Sequence, residues 1–200
     1  MNIIETNLKF KQNLLNRSKT SYIILHHRAG NGDVFSIHNQ HINQNYSGIG
    51  YHYYIRKDGN IYSGRPVKSI GAHCLNYNDK SIGICFEGNF ETESMSEIQK
   101  KAGKELIMYL KTIYKTAVVI CHKDVNDTSC PGKNFPYNEL ISTNIKTTEL
   151  TSANDIIWEL INGKHKVEIN DVAGAVKSLE EARKQNNSLY WILYKIVNKE

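Results

Sequence analysis

The 200-residue sequence lacks a long apolar run, a recognisable export signal and a dense basic tract. No apolar stretch approaches the roughly 18 residues that a membrane-spanning helix requires, so we expect no insertion into a membrane. The N-terminal residues place Glu5 and Asn7 where a signal peptide would have its apolar core, so we expect no export by that route. Basic residues do not alternate with aromatic ones as in nucleic-acid-binding segments, so we expect no specific nucleic-acid partner.

Cysteine is scarce, with only four residues: Cys74, Cys85, Cys121 and Cys130. Without an export signal the chain is expected to be made in a reducing cytosol, which favours free thiols or metal ligation over disulfides. We interpret Cys74 and Cys85 as core or sheet residues, because they lie in or beside β-type segments. Adjacent strand residues point to opposite faces, so Cys121 should turn away from any metal that its neighbour binds.

Charge is distributed unevenly along the chain. Residues 1–146 hold 18 Lys and Arg against 12 Asp and Glu, whereas residues 147–200 hold 7 against 8. The composition also changes after Leu140, where a polar, Thr-rich stretch is typical of a linker. We therefore predict two domains, 1–146 and 147–200. The basic first domain favours an anionic partner.

Alternating strand and helix patterns predict an α/β fold with a central mixed sheet flanked by helices in the first domain. The predicted elements are strands at 22–27, 81–86 and 118–121, helices at 34–44 and 94–114, and a hairpin at 51–63. The Asp58-Gly59 pair indicates a type I′ turn in that hairpin. Residues 147–200 carry three short amphipathic patterns, which predict a small all-α module. About fifty residues is near the lower limit for an independent core, so self-association or contact with the first domain is expected.

Two histidines and a cysteine stand where strand-like segments end. His26 ends the apolar run 22–25, His122 ends 118–121, and Cys130 follows eight residues later in a Pro-Gly loop. Two imidazoles and one thiolate suit Zn²⁺ better than Ca²⁺ or Mg²⁺. Three protein ligands leave a fourth position for water, as a catalytic zinc requires. Taken alone, each of these three residues is more simply explained by a structural role. The combination predicts one zinc ion per chain.

Five blocks of sequence resemble the zinc-dependent N-acetylmuramoyl-L-alanine amidases of the bacteriophage lysozyme and peptidoglycan recognition protein superfamily. The blocks occur in the same order and span 23–27, 50–59, 71–73, 76–84 and 122–132. The resemblance implies a mixed sheet of the peptidoglycan recognition protein type with a zinc ion at one end. It also implies hydrolysis of the amide that joins the lactyl group of muramic acid to L-alanine. The C-terminal tail is similar to those of clostridial phage-type amidases.

The resemblance further implies roles for individual residues. It selects His26, not His27, as the ligand that joins His122 and Cys130. It places the phenol of Tyr51 beside the metal, where it would hold the water or donate to the oxyanion. The imidazole of His73 and the side chain of Asn76 would line the substrate groove, the latter less clearly.

Two further candidate residues, Thr128 and Glu87, each have two possible roles. Thr128 stands at a position where the family has lysine or threonine, and it would either donate a hydrogen bond to the oxyanion or cap its loop. One branch of these amidases has a glutamate base at the position of Cys85. Glu87, two residues later, would substitute for it by geometry or would be a solvated carboxylate at the strand end. The general base therefore stays open between Tyr51 and Glu87.

The leading functional hypothesis is a peptidoglycan hydrolase that acts as a phage or prophage endolysin. It would be made in the host bacterial cytoplasm and act at the cell wall after release, with peptidoglycan and anionic wall polymers as its partners. The aromatic residues of the tail, Trp158, Tyr190, Trp191 and Tyr194, suggest cell-wall binding, with core packing as the alternative. A non-catalytic peptidoglycan-binding protein of the same fold is the competing function, and regulation of a polymerase is a third.

Overall fold

A six-stranded sheet forms the centre of the computed structural model, which describes residues 1–142. The strands are β1 Ile3–Ile4, β2 Tyr22–His27, β3 Tyr53–Ile55, β4 Ile61–Ser63, β5 Ser81–Phe86 and β6 Val118–Cys121, in the spatial order β1-β4-β3-β5-β2-β6. Only β3 and β4 pair antiparallel, and the other neighbours are parallel. This mixed sheet confirms the predicted α/β class. The predicted helical module at 147–200 lies outside the described residues.

Within residues 1–142, three α-helices accompany the sheet: α1 Val34–Asn43, α2 Glu97–Ile113 and α3 Tyr137–Ile141. The carboxylate of Asp33 caps α1 by accepting a hydrogen bond from the Ser36 N–H. The hydroxyl of Ser96 caps α2 in the same way, from Gln99 N–H. Because the cap satisfies a backbone donor that has no partner in the helix, α2 begins at Glu97, directly after Ser96 and three residues later than the apolar pattern predicts.

The two faces of the sheet carry different hydrophobic clusters. Alternate residues of β2 and β5, such as Ile23, Leu25 and Phe86, pack with Leu106 and other residues of α2. The opposite face carries a smaller cluster in which α1 packs on Tyr54 and Cys85. His26 pairs in register with Cys85 and therefore shares this second face. Cys121 packs in the first cluster, which confirms that it turns away from the face of His26.

The turn between β3 and β4 differs from the prediction. The Gly59 N–H donates to Arg56 O (2.9 Å), and within the described chain Gly59 has a positive φ of 83° whereas Asp58 does not. A type I′ turn needs positive φ at both central residues, so that prediction is wrong. The Asp58 carboxylate accepts from the Asn60 N–H (2.9 Å), a local bond that holds a longer loop closed by the glycine.

The shortest strand was not predicted from the sequence. Ile3–Ile4 pairs parallel with β4 and closes that edge of the sheet. Two residues are too few to show a periodicity of two, so no pattern indicates a strand there. None of the helices in residues 1–142 is both long and apolar enough to cross a membrane.

We predict that Gly103→Ala lowers stability even though it improves helix propensity. A Cβ at this position of α2 would lie 2.5 Å from Cε1 of the fully buried Phe86 and 3.0 Å from Cδ2 of Leu140. Overpacking costs about 1–3 kcal/mol, which exceeds the roughly 1 kcal/mol that alanine gains over glycine in a helix. Thermal unfolding should show a Tm lower by a few degrees, whereas the exposed Lys101→Ala should leave it unchanged. A higher Tm for Gly103→Ala would contradict the packing argument.

Candidate active site

The parallel register of β2 and β6 brings two histidines together. Leu25 of β2 pairs with Cys121 of β6 at the end of their ladder, so His26 and His122 are the next residues after this pair. Their ring centroids lie 4.5 Å apart. Both rings stand at the carboxyl ends of parallel strands, where α/β sheets commonly build their sites.

The loop after β6 returns a cysteine to these histidines. A 3₁₀ turn, His122–Asp124, begins the loop, and the Asp124 carboxylate holds it by accepting from the Cys121 N–H (2.7 Å). The Lys123 N–H donates to Cys130 O (2.8 Å), which closes the loop at its other end. As a result Cys130 Sγ lies 3.8 Å from His26 Nδ1. One ligand atom from each of His26, His122 and Cys130 lies within 4.8 Å of the others.

This arrangement fits a zinc ion. Zn–S bonds of about 2.3 Å and Zn–N bonds of about 2.0–2.1 Å place two ligand atoms of one tetrahedral centre roughly 3.4–3.8 Å apart. The 3.8 Å between Cys130 Sγ and His26 Nδ1 matches that spacing. His26 is fully buried, whereas His122 and Cys130 are partly exposed, so the centre is reached from one side.

The protonation of the three groups is set mainly by burial. Burial, and next the neighbouring His122, hold the pKa of His26 well below its ordinary value, so its imidazole is neutral and keeps a lone pair. Burial also lowers the pKa of His122. Burial raises the pKa of the Cys130 thiol to about 11. A metal ligand must be a thiolate, so metal binding at this site has to displace the thiol proton.

The phenol of Tyr51 lies beside the candidate ligand His26. The two ring centroids are 5.1 Å apart, and His41 from α1 flanks Tyr51 on another side at 5.8 Å. Burial, with further contributions from Cys85 and Cys130, raises the pKa of Tyr51 well above its ordinary value. A phenol with a raised pKa keeps its proton at neutral pH, so Tyr51 is suited to donate a hydrogen bond.

Thr128 lies two residues before Cys130, the candidate cysteine ligand, and contacts its backbone. The hydroxyl oxygen of Thr128 accepts from the Cys130 N–H at 3.2 Å, the geometry of loop capping. A hydroxyl has one proton in addition to its acceptor lone pairs, so the same group is still able to donate to a substrate oxygen.

The structure places Glu87 in a hydrogen-bonded corner of the sheet. Its carboxylate accepts from the Gly32 N–H (2.9 Å), the Lys57 N–H (3.1 Å) and Arg56 Nε (3.2 Å), and the residue is 4% exposed. Burial alone would raise the pKa of Glu87, but the three donors outweigh it and the pKa lies below its ordinary value. Glu87 is therefore not the solvated strand-end carboxylate that was the alternative expectation. A carboxylate held by three donors is also poorly suited to accept a proton.

The two predicted groove residues occupy different environments. His73 is 8% exposed, and its Nδ1 lies 3.0 Å from Nε2 of His26. Asn76 is exposed at the tip of the same loop, with a positive φ of 64°. Among these two, Asn76 presents its side chain to solvent, and His73 contacts a candidate metal ligand.

Three polar residues join the site without having been assigned to it from the sequence. Asn126 favours the protonated form of His122 and so partly offsets the lowering of its pKa by burial, and Asn126 also accepts from Cys74 Sγ (2.9 Å). His52 accepts from the Gly83 N–H at Nδ1 (3.0 Å), and burial lowers its pKa to about 3. His41 accepts from the Gly50 N–H (3.1 Å) and so supports the chain just before Tyr51. No periodicity or spacing indicates these contacts, because each joins segments that are distant in sequence or depends on a side-chain direction.

Comparison with known proteins gives one family. Residues 16–133, which include every candidate residue above, match the family model for N-acetylmuramoyl-L-alanine amidase. The solved N-acetylmuramoyl-L-alanine amidase LysC from Clostridium intestinale URNW is 39% identical with a TM-score of 0.67, over 70% of this chain and 95% of that one. Peptidoglycan-recognition protein SC2 of Drosophila simulans is 35% identical over 62% of this chain and 73% of its own length. An endolysin of Klebsiella phage KP32 is 31% identical over 64% and 93% respectively.

We predict that Glu87→Gln weakens folding. The glutamine amide has one acceptor oxygen, and its N–H groups would face the donors that the carboxylate now accepts from. The free energy of unfolding should therefore fall by about 1–3 kcal/mol. Because the folded-state pKa lies below the ordinary 4.5, the carboxylate stabilises the wild type above that pH and loses this contribution as the pH falls through the folded value. Denaturant titrations from pH 7 to 3 should show that the difference in free energy of unfolding between wild type and variant becomes smaller as the pH falls.

The control for this experiment is Glu97→Gln, whose side chain is 89% exposed and which should change stability little at any pH. A Glu87→Gln protein with unchanged stability and lost hydrolysis would contradict the structural role and favour Glu87 as the base.

Proposed function

Because the chain belongs to the N-acetylmuramoyl-L-alanine amidase family, we propose that it is a zinc-dependent peptidoglycan hydrolase with His26, His122 and Cys130 as the metal ligands. It cleaves the amide between N-acetylmuramic acid and L-alanine and acts as an endolysin. The observation that carries the zinc proposal is the approach of three ligand atoms, two nitrogens and one sulfur, to within 4.8 Å of one another.

Amide hydrolysis needs a polarised carbonyl, a deprotonated water, a stabilised oxyanion and a proton for the leaving amine. A zinc ion held by these three residues would polarise the carbonyl and lower the pKa of a bound water toward about 7. The protein supplies the remaining requirements through groups that surround the ligands.

Tyr51 is the group best placed to stabilise the oxyanion. Its ring centroid lies 5.1 Å from that of His26, and its raised pKa keeps the phenol protonated. A donor held in place before the reaction stabilises charge as it develops and needs no reorganisation. Thr128, two residues before Cys130, is proposed as a second donor to the same oxygen in addition to its loop-capping contact.

We assign Glu87 a structural role instead of a catalytic one. Its carboxylate joins the Gly32 loop to the β3–β4 turn through Lys57 and Arg56. Each of these three donors stabilises the charged form, and protonation during a catalytic cycle would cost those hydrogen bonds.

The same family membership supports the proposed substrate and location. Peptidoglycan is the substrate, and the exposed Asn76 is proposed to contact it. The net positive charge of residues 1–146 would favour the anionic polymers of the wall as additional partners. The enzyme is proposed to be made in the host cytoplasm and to reach the wall after release, with residues 147–200 contributing wall attachment.

Binding without cleavage is the competing function, since relatives of this chain include peptidoglycan-recognition proteins. The family resemblance implies that some members which bind without cleaving have lost the ligand cysteine, whereas Cys130 stands here within reach of His26. Mass analysis of digested wall fragments separates the two functions, because only hydrolysis releases stem peptides that begin with a free L-alanine amine.

We predict about one zinc ion per chain and its loss in Cys130→Ser. A serine hydroxyl is poorly ionised and cannot replace a thiolate ligand, so metal affinity or wall hydrolysis should fall by orders of magnitude. Metal content of the purified proteins and the rate of wall clearing measure both effects. Cys121→Ala is the matched control, since this thiol packs on the other face of the sheet and its removal should leave zinc in place. An active, metal-free Cys130→Ser protein would refute the ligand assignment.

We predict that Tyr51→Phe keeps both zinc and fold but slows hydrolysis about ten- to a thousandfold, the range for one positioned donor. The substitution removes only the hydroxyl and leaves the ring contact with His26. Tyr53→Phe is the control, because Tyr53 packs on the α2 face of the sheet. This variant should hydrolyse the wall at the normal rate. Equal rates for Tyr51→Phe and wild type would exclude the phenol from the mechanism.

A further inference from the structure

His73 lies behind the ligand His26, on the side away from the metal. His26 turns Nδ1 toward Cys130 Sγ (3.8 Å) and Nε2 toward Nδ1 of His73 (3.0 Å). If Nδ1 of His26 gives its lone pair to the metal, its single proton must be on Nε2. The 3.0 Å contact is then a hydrogen bond in which His26 donates and His73 accepts.

The far side of His73 has a partner that suits this direction. His73 Nε2 lies 3.4 Å from Ser81 Oγ, and the Ser81 hydroxyl donates to Tyr77 O (2.6 Å). Because the serine proton is committed to the carbonyl, its oxygen is left to accept from His73 Nε2–H. The three bonds form one chain that points from His26 through His73 and Ser81 to the backbone.

The surroundings of His73 are shaped to hold one imidazole. A Cβ at Gly83 on β5 would lie 2.6 Å from His73 Cγ, and a Cβ at Gly71 would lie 2.5 Å from His73 Cδ2. The ring of His52 closes a third side, with its centroid 5.6 Å from that of His73. His52 is itself fixed between the Gly83 N–H and Ser69 O. With 8% of the residue exposed, His73 has little surface left for substrate.

We propose that His73 is a positioning residue that holds the metal ligand His26 in the tautomer and orientation required for binding, instead of a residue that lines the substrate groove. This inference rests on the proposed zinc site. Metal-bound histidines commonly donate their second N–H to a fixed acceptor, and loss of that acceptor typically lowers metal affinity about 10–100-fold. Here the acceptor is a neutral imidazole, whose own tautomer is set by Ser81.

The test measures zinc affinity by competition with a chromophoric chelator, using the full chain. His73→Leu removes the acceptor and should bind zinc about 10–100-fold more weakly. His73→Asn keeps an acceptor oxygen near the position of Nδ1 and should stay much closer to wild type. His27→Leu is the matched control, because His27 is equally buried and adjacent to the ligand but faces Phe90 on the other side of the sheet.

Tm values in chelator and in saturating zinc separate positioning from structural damage. Substitution of a purely structural residue lowers both Tm values equally. Substitution of a positioning residue instead reduces the increase in Tm that zinc produces. Unchanged zinc affinity in His73→Leu with a raised KM for wall fragments would overturn the proposal in favour of substrate binding. Equal losses in the Leu and Asn variants would overturn it as well, since the acceptor would then be irrelevant.

A second measurement uses the wild-type protein and does not depend on folding of any variant. Long-range ¹H–¹⁵N spectra of the zinc-loaded chain should show that His26 and His73 are both protonated at Nε2 and that Nδ1 of His73 is unprotonated. A His73 proton on Nδ1 would overturn the proposed direction of the chain. A wild-type protein that binds no zinc would instead refute the zinc site itself, so the two failures are distinguishable.

Discussion

The parallel pairing of β2 with β6 and β5 is the constraint on which the rest of the site depends. It aligns the carboxyl ends of the strands, so that His26 stands next to His122 on one side and Cys85 on the other. Since side chains alternate along a strand, the same pairing sends Leu25 and Cys121 into the core under α2. A shift by one residue would exchange the proposed ligand His26 for a core residue, so the apolar pattern of β2 also fixes the position of the proposed metal site.

Burial around His26 has consequences for both stability and chemistry. A buried imidazole must be neutral and hydrogen-bonded, because an unpaired polar group in the interior costs free energy. The contact with His73 satisfies Nε2 and leaves Nδ1 directed at the centre. His26 therefore has a side-chain partner of its own, which orients it before any metal arrives.

Much of the fold and the proposed grouping of His26, His122 and Cys130 could be predicted from short-range sequence patterns, with the choice of His26 over His27 implied by the family resemblance. The strands at Tyr22–His27 and Ser81–Phe86 are bounded by clear changes in composition, and a histidine at a strand end is visible without a structure. The role of His73 is not visible, because a loop residue carries no periodicity and its direction depends on a contact 47 positions away. The environment of Glu87 was likewise hidden, since two of its three donors are backbone N–H groups that any residue type supplies.

The ligand set is tested most directly by X-ray absorption at the zinc edge of the metal-loaded protein. The structure predicts one sulfur at about 2.3 Å and two imidazole nitrogens at about 2.0–2.1 Å, with a lighter oxygen ligand completing four-coordination. A first coordination shell without sulfur, or with two sulfurs, would contradict the assignment of His26, His122 and Cys130 as the zinc centre.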